Sequence, residues 1–327
     1  MEKTNDVISL GNAIMDLLIE IDDQKLLDMN LKKGEMHLVD EQRTKELLQK
    51  IREHQLTVEL CPGGSAANTL RGLALLGANV ILCGKVGEDR HGEIYVEEMK
   101  KHSVQPKINS HHSSTGHALA FITPDSERTF SVHLGAAIEL EQEDILEEDI
   151  AKSKILHVEG YLLEGRNKEL MLRCISLAKK YHTLVSIDLA DPGVIRRNKE
   201  FLQGFISHAD ILFLNEKEAE EFTGTDDCRI ALERLAKKCR VVVVKVGKDG
   251  SLIANNETVI KIEAYPAQVV DTTGAGDMYA AGFLYGYVCG WSLEKSGKLG
   301  SLFASKIVEK KGVKLNEIDV NKIKKEI

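Results

Sequence analysis

No run of apolar residues in this chain of 327 is long enough to cross a bilayer, and its start, Met-Glu-Lys-Thr-Asn-Asp, has no apolar signal core. Basic blocks are missing too. Lys+Arg number 43 against 51 Asp+Glu, a net charge of -8, and the one dense cluster is a short Lys/Glu-rich tail after Asn321. That balance argues against nucleic acid as the main partner. Cysteine pairs are absent: Cys61, Cys83, Cys174, Cys228, Cys239 and Cys289 are scattered, with no Cys-x-x-Cys. They read as reduced, mostly buried thiols of a cytoplasmic protein. The 11 histidines are dispersed, and His111-His112 sits among Ser and Thr as a solvated loop rather than a metal site. No Gly-x-x-x-x-Gly-Lys-[Ser/Thr] occurs, and no Gly-x-Gly-x-x-Gly follows the first strand. A Walker-type phosphate loop and an NAD-dependent oxidoreductase both lose their fingerprint. There is no internal repeat and no low-complexity linker. The length suits one large α/β domain with an appendage, or two domains.

What is present centres on residues 270–283, Val-Asp-Thr-Thr-Gly-Ala-Gly-Asp-Met-Tyr-Ala-Ala-Gly-Phe. Gly274 and Gly276 free the backbone to turn tightly before an apolar helical pattern at Ala281, Leu284 and Val288. Unpaired N–H groups and the helix dipole make such a helix start an anion site. Asp277 in the first turn would stand beside the anion as a carboxylate base. An aspartate there also serves the dipole alone, and local physics leaves both readings open.

Residues 7–14 form a short apolar strand interrupted by Gly-Asn, and apolar residues resume beyond Asp16. Asn12 and Asp16 at such a junction suit hydroxyl binding, or a turn. Cys-Pro-Gly-Gly-Ser-Ala-Ala-Asn at 61–68 opens a helix to Leu76. Gly63 and Gly64 let a ligand lie against backbone, Ser65 is an N-cap candidate, and Asn68 would face the same opening. A plain strand-turn-helix explains the glycines but not an asparagine among Leu70, Leu73, Leu75 and Leu76. Gly84 to Asp89 reads as a structural loop. Two alternating runs around Pro124-Asp125-Ser126 read as a hairpin, with the extended stretch after Asp16 completing a small sheet. Arg128 on that hairpin is either solvated or able to meet phosphate.

From Lys154 onward, strands at 155–158, 184–189, 211–214 and 241–246 alternate with helical segments at 166–182 and 194–207, and a further helix is expected at 292–311. The alternation predicts a parallel sheet covered on both faces, with ligands at the carboxyl ends of strands. Asp188 and Asn215 fall at such ends. Asn215 either caps the next helix or belongs to the site. Lys245, Gly247 and Gly250 read locally as a hairpin turn into residues 251–254.

Asp-Thr-Thr-Gly-Ala-Gly-Asp at 271–277 resembles the second signature of the ribokinase-like (PfkB) family of carbohydrate and nucleoside kinases, and residues 57–92 resemble its first signature almost throughout. The resemblance covers nearly the whole chain. It implies a ribokinase-like α/β fold, a mainly parallel central sheet with helices on both faces plus a small β-sheet lid. One kinase domain would span 1–327, with the lid at about 15–40 and 106–135. The reaction implied is transfer of the γ-phosphoryl of Mg-ATP to a primary hydroxyl, with Asp277 as base and the N–H groups of Gly274, Ala275 and Gly276 stabilising the moving charge. Asn12, Asp16, Gly63, Gly64 and Asn68 would hold the acceptor, and Ala118, Ala120 and Phe121 would wall it. Asn215, Lys245, Gly247, Gly250 and Thr272 would serve ATP, with Ala304 and Ser305 near adenine. Glu218 would hold Mg2+ through water, and Asp271 and Thr273 match the part of the loop that binds a monovalent cation such as K+ in some members.

Gly-Asn-x-x-x-Asp and Cys-Pro-Gly-Gly-Ser-Ala-Ala-Asn are most similar to adenosine-kinase-like members, which points to adenosine at its 5′ hydroxyl or a related ribose-containing acceptor. A ribokinase- or fructokinase-type sugar kinase shares every catalytic motif, and a catalytically silent nucleotide- or sugar-binding protein is the rival from another class. The expected partners are small molecules, with neither nucleic acid nor membrane, in a monomer or a homodimer through the lid.

Overall fold

The computed structural model describes residues 2–125, 127–255 and 258–327. Among the described residues, fourteen strands divide between two sheets. β1 (Asn5–Leu10), β5 (Val80–Gly87), β6 (Gln105–His111), β9 (Ser153–Glu159), β10 (Leu184–Asp188), β11 (Ile211–Asn215), β12 (Val241–Lys245), β13 (Ser251–Asn255) and β14 (Val259–Ile262) form the large one. Its order is β14-β13-β12-β11-β10-β9-β1-β5-β6, parallel from β12 to β6, with β13 and β14 antiparallel at one edge. β2 (Ile14–Glu20), β3 (Met36–Leu38), β4 (Val58–Pro62), β7 (Thr115–Ile122) and β8 (Arg128–Gly135) form the small one, in the order β3-β8-β7-β2-β4.

The apolar runs of the large sheet are buried on both faces because helices cover both. Val241 and Val243 of β12 join one core with Ile211 and Phe213, while Val242 and Val244 join the other with Leu212 and Leu214. Burying a side chain of this size contributes about 2 kcal/mol. The first core takes in the helices Ser65–Leu76, Ala275–Val288 and Leu293–Ile307 and continues under the lid through Met15, Leu17, Leu119 and Phe121. On the opposite face of the lid, Ile14, Ala118 and Val132 gather with Phe130 and Leu134. The period of two in these strands sorts one set of side chains to the core and the other to the opening.

Several expectations change in detail. The small sheet draws β4 from outside the ranges expected for the lid, whereas β6, inside one of them, pairs parallel with β5 at the edge of the large sheet. β5 runs through Gly84 to Gly87, so only Glu88 and Asp89 of the expected loop lie outside it. Residues 194–207 divide at Asn198 into helices Pro192–Arg197 and Lys199–Phe205. β7 and β8 pair antiparallel as a hairpin, and Ser126 of the expected turn lies outside the described residues. All six cysteines are free, with Cys83, Cys174 and Cys239 buried and Cys289 exposed. No helix among the described residues is long and apolar enough to cross a membrane.

Candidate active site

The loop Gly11–Ala13 carries the chain from β1 in the large sheet to β2 in the lid, and the mouth between the two sheets is a cleft of about 1180 Å3. Every residue expected to serve catalysis, the acceptor's polar contacts, ATP or a metal lines it except Gly63 and Asp271. Ala118, Arg128, Asp188, Ala304 and Ser305 line it as well. Ala120 and Phe121 do not. Phe121 alternates to the core face of β7 and is fully buried there, and the apolar wall comes instead from Ile14, Phe130, Val132 and Leu134. The alternation Arg-Thr-Phe-Ser-Val-His-Leu in β8 carries that signal.

At the centre of the cleft the helix Ala275–Val288 begins from Gly274, whose φ of 74° is the left-handed region that suits glycine. Ala275 N of the first turn donates to the Thr272 carbonyl at 3.2 Å, while the N–H groups of Gly276 and Asp277 have no acceptor within the helix. Lys245 Nζ stands 3.2 Å from where a Cβ on Gly276 would lie, so a cation faces the turn. Asp277 follows in the first turn. Its Oδ1 accepts from Ser65 Oγ at 2.7 Å and its Oδ2 from Asn68 Nδ2 at 3.0 Å. Burial pushes its carboxyl up to about 6, while those two hydrogen bonds pull it down. The expected N-cap at Ser65 is therefore a correction. Gly64, with φ 89°, occupies the cap position, which leaves the Ser65 hydroxyl free to reach Asp277.

On the lid side, Asp16 sits on β2 with its carboxylate against Gly63. A Cβ at Gly63 would collide with it, and one at Gly64 would collide with the carbonyl of Asn12. Burial raises the Asp16 carboxyl to about 7, opposed by Arg128. Asn12 donates from Nδ2 to the carbonyl of Tyr161 at 3.2 Å, and its buried Oδ1 has no partner. Glu159, at the end of β9, was not singled out from the sequence. One of its oxygens accepts from Ala66 N at 3.1 Å, the other is buried and unpartnered, and burial raises its carboxyl to about 8. A lone acid at a strand end has no local signature, because what makes it part of the site is the distant helix it meets.

Lys245 donates to Asp188 Oδ2 at 2.9 Å, joining the ends of two strands. Burial would lower its ammonium, but Asp188 and Glu218 hold it above its ordinary value. Asn215 caps the helix Glu216–Thr223 in a reciprocal capping box with Glu218, accepting from Glu218 N at 2.9 Å while both Glu218 oxygens accept from Asn215. Glu218 is buried, which raises its carboxyl while Lys245 opposes the rise. Gly247 and Gly250 form the turn from β12 into antiparallel β13, with Val246 N donating to Gly250 O at 2.9 Å.

Asp271 lies at the base of the turn. Its Oδ1 accepts from Thr273 N at 3.0 Å, and its Oδ2 accepts from Gly312 N and from Arg128 Nη2 of the lid. Arg128, left between solvent and phosphate by the sequence, is paired and nearly buried, and its Nη1 has no partner. No cluster of three His, Cys, Asp or Glu side chains that could hold a metal occurs among the described residues. A metal here would have to arrive with other ligands, such as phosphate oxygens and water.

Known proteins share this fold. An adenosine kinase from Sinorhizobium meliloti superposes with a TM-score of 0.90 at 34% identity, over 98% of this chain and 99% of that one. A probable sugar kinase from Rhizobium etli CFN 42 gives 0.92 at 33% identity, over 100% and 99%. A nucleoside kinase of Methanocaldococcus jannaschii is 32% identical over 261 residues, covering 78% of this chain and 81% of its own. A family model described as pfkB family carbohydrate kinase matches residues 28–319, and the chain belongs to that family.

Proposed function

We propose that the protein transfers the γ-phosphoryl of Mg-ATP to a primary hydroxyl of a nucleoside or sugar. The observation that carries this reading is the placement of Asp277, held by Ser65 and Asn68 beside a helix start that Lys245 faces. Phosphoryl transfer asks for positioning and charge stabilisation more than for covalent chemistry, and this arrangement supplies both. Asp277 takes the hydroxyl proton as the oxygen attacks the γ-phosphorus, the bond from that phosphorus to the bridging oxygen breaks and ADP leaves, and the N–H groups of Gly274, Ala275 and Gly276 receive the charge of the moving phosphoryl group.

The acceptor end favours a polyhydroxylated ligand. Asn12 Oδ1 and Glu159 Oε1 are buried without partners in the cleft, and a buried acceptor left unpaired costs about 1–3 kcal/mol. Hydroxyl groups on the ligand would satisfy both. Asp16 and Asn68 supply further polar contacts, and Ile14, Phe130, Val132 and Leu134 supply an apolar wall broad enough for a base or a sugar face. That wall, together with the adenosine-kinase-like motifs, leads to adenosine or a related ribose-containing acceptor as the first reading. The second is a free sugar, which the same hydroxyl-binding groups would serve.

ATP fits the rest of the cleft: the anion turn, Lys245 and Thr272 for phosphates, Gly247 and Gly250 for the loop beside it, and Ala304, Ser305 and Val308 for the base. Magnesium, when bound with ATP, neutralises phosphate charge, and Glu218 and Asn215 would hold its waters. A monovalent cation at Asp271 and Thr273 is a subordinate reading, since Arg128 already brings positive charge to that carboxylate. Oligomerisation through the small sheet stays a proposal of the same rank. Coupled ADP release with Mg-ATP against adenosine, inosine, ribose, fructose and fructose 6-phosphate tests the assignment. Preference for adenosine supports the first reading, and turnover with free sugars alone supports the second. Silence across the panel with ATP binding intact favours the binding-protein alternative.

A further inference from the structure

Arg71 stands one turn beyond Asn68 on the helix Ser65–Leu76 and is only 4% exposed. Its side chain is absent from the cleft lining. Its four hydrogen-bond partners are neutral: the Pro62 carbonyl at 3.3 Å, Asn68 Oδ1 at 3.2 Å, His102 Nε2 at 3.4 Å and the Val313 carbonyl at 3.4 Å. A guanidinium only donates, so His102 accepts from it as a neutral ring, and burial followed by Arg71 holds that ring below its ordinary value. No carboxylate among the described residues pairs with Arg71, and its Nε has no partner. A buried cation in such a place is costly, and an apolar side chain would fill the same space at less expense.

What the charge achieves is orientation. The Asn68 amide has one acceptor end and one donor end. Arg71 can satisfy only the acceptor end, so Oδ1 faces inward and Nδ2 faces Asp277. The Asp277 carboxylate selects the donor end of the amide, and Arg71 reinforces that choice by satisfying Oδ1, which would otherwise be buried without a donor and let the side chain shift. We propose that Arg71 is a positioning residue for phosphoryl transfer, acting through Asn68 to hold the Asp277 carboxylate in place. The proposal rests on the phosphotransferase reading given above.

The test is a kinetic double-mutant cycle in the full chain. Arg71→Gln and Arg71→Lys are each made in the wild-type and Asn68→Ala backgrounds. Rates are measured with Mg-ATP and the acceptor that the wild type turns over best, and ATP affinity is measured by calorimetry. In the wild-type background, Arg71→Gln lowers kcat by about tenfold or more, the size expected when a reacting group is slightly misplaced. ATP affinity stays within about twofold, and in the Asn68→Ala background the same change costs less than about twofold, because interacting residues are not additive. Arg71→Lys keeps a buried cation with a single ammonium in place of the fork, and it lowers kcat by about fivefold. It serves as the second variant if Arg71→Gln does not fold. Equal losses in both backgrounds, or a wild-type kcat in either arginine variant, overturn the proposal while leaving the kinase reading intact. A wild-type protein that phosphorylates no acceptor removes the kinase reading, and this inference with it.

Discussion

The carboxylate of Asp277 and the hydroxyl of Ser65 meet at 2.7 Å although 212 residues separate them in the chain. Two helix starts are thereby locked together, one following the Gly63-Gly64 turn and the other following Gly274. The lid-bearing half of the molecule contributes the first, and the C-terminal half contributes the second. A hydroxyl bound near one start would sit beside an anion bound at the other.

This relationship sets a pH dependence for turnover. The base works ionised, and burial raises Asp277 to about 6. Turnover should therefore fall as pH drops through 6, and Ser65→Ala, which removes a hydrogen bond to the ionised form, should move that limb to higher pH. Rate profiles of the two proteins between pH 5 and 9 check this. An unmoved limb in Ser65→Ala would contradict the assignment of Asp277 as the titrating base.

Stability should run the other way with pH. Glu159 is raised from 4.5 to about 8 on folding. A folded-state value above the unfolded one means the folded protein binds the extra proton, so this stability is fully present below 4.5 and is lost as pH rises through 8. Glu159→Gln removes the titration. The unfolding midpoint of the wild type should decline from pH 5 to 8.5 more steeply than that of the variant, and parallel curves would contradict the burial assigned to Glu159.

Gly63 and Gly64 leave room that any side chain would fill. Gly63→Ala places a methyl group on the Asp16 carboxylate and should raise the acceptor KM by about tenfold or more while leaving ATP affinity near normal. Initial rates at varied acceptor and varied ATP separate the two. A rise confined to the ATP KM would put Asp16 on the wrong ligand.

The Arg128–Asp271 ion pair joins lid to anion turn, with the two side chains 11% and 7% exposed. Removing one partner of a buried pair leaves the other uncompensated and costs about 3–5 kcal/mol. Arg128→Ala should lower stability by about that amount, and Arg128→Ala with Asp271→Ala should recover a large part of it. Denaturant titrations of the single and double variants decide the point, and additive losses would show that the pair is not coupled.

The parts of this site that were legible in the sequence are those with local causes. Gly274 to Asp277 shows a turn, a helix start and an acid within one short stretch, and Asn215 reads as a cap of the next helix. The alternation of strands and helices after Lys154 likewise leads to a parallel sheet. What was hidden depends on long-range packing. Glu159 and Arg71 become meaningful only through Ala66, His102 and Val313, which folding brings beside them. Ser65 has the chemistry of a cap, but the positive φ of Gly64 moves the cap back one residue. Phe121 has the chemistry of a pocket wall, but the register of β7 turns it to the core. Val58–Pro62 is a short edge strand whose partner, β2, lies far ahead of it in the chain.

The most direct test of the central claim is single-turnover phosphoryl transfer by Asp277→Asn beside the wild type, with ATP affinity measured on both. The expected result is a loss of transfer of about a hundredfold or more, within the range general-base catalysis supplies, with ATP affinity changed by less than about threefold. Transfer at the wild-type rate in the variant would contradict the role of Asp277 and, with it, the account of how this cleft works.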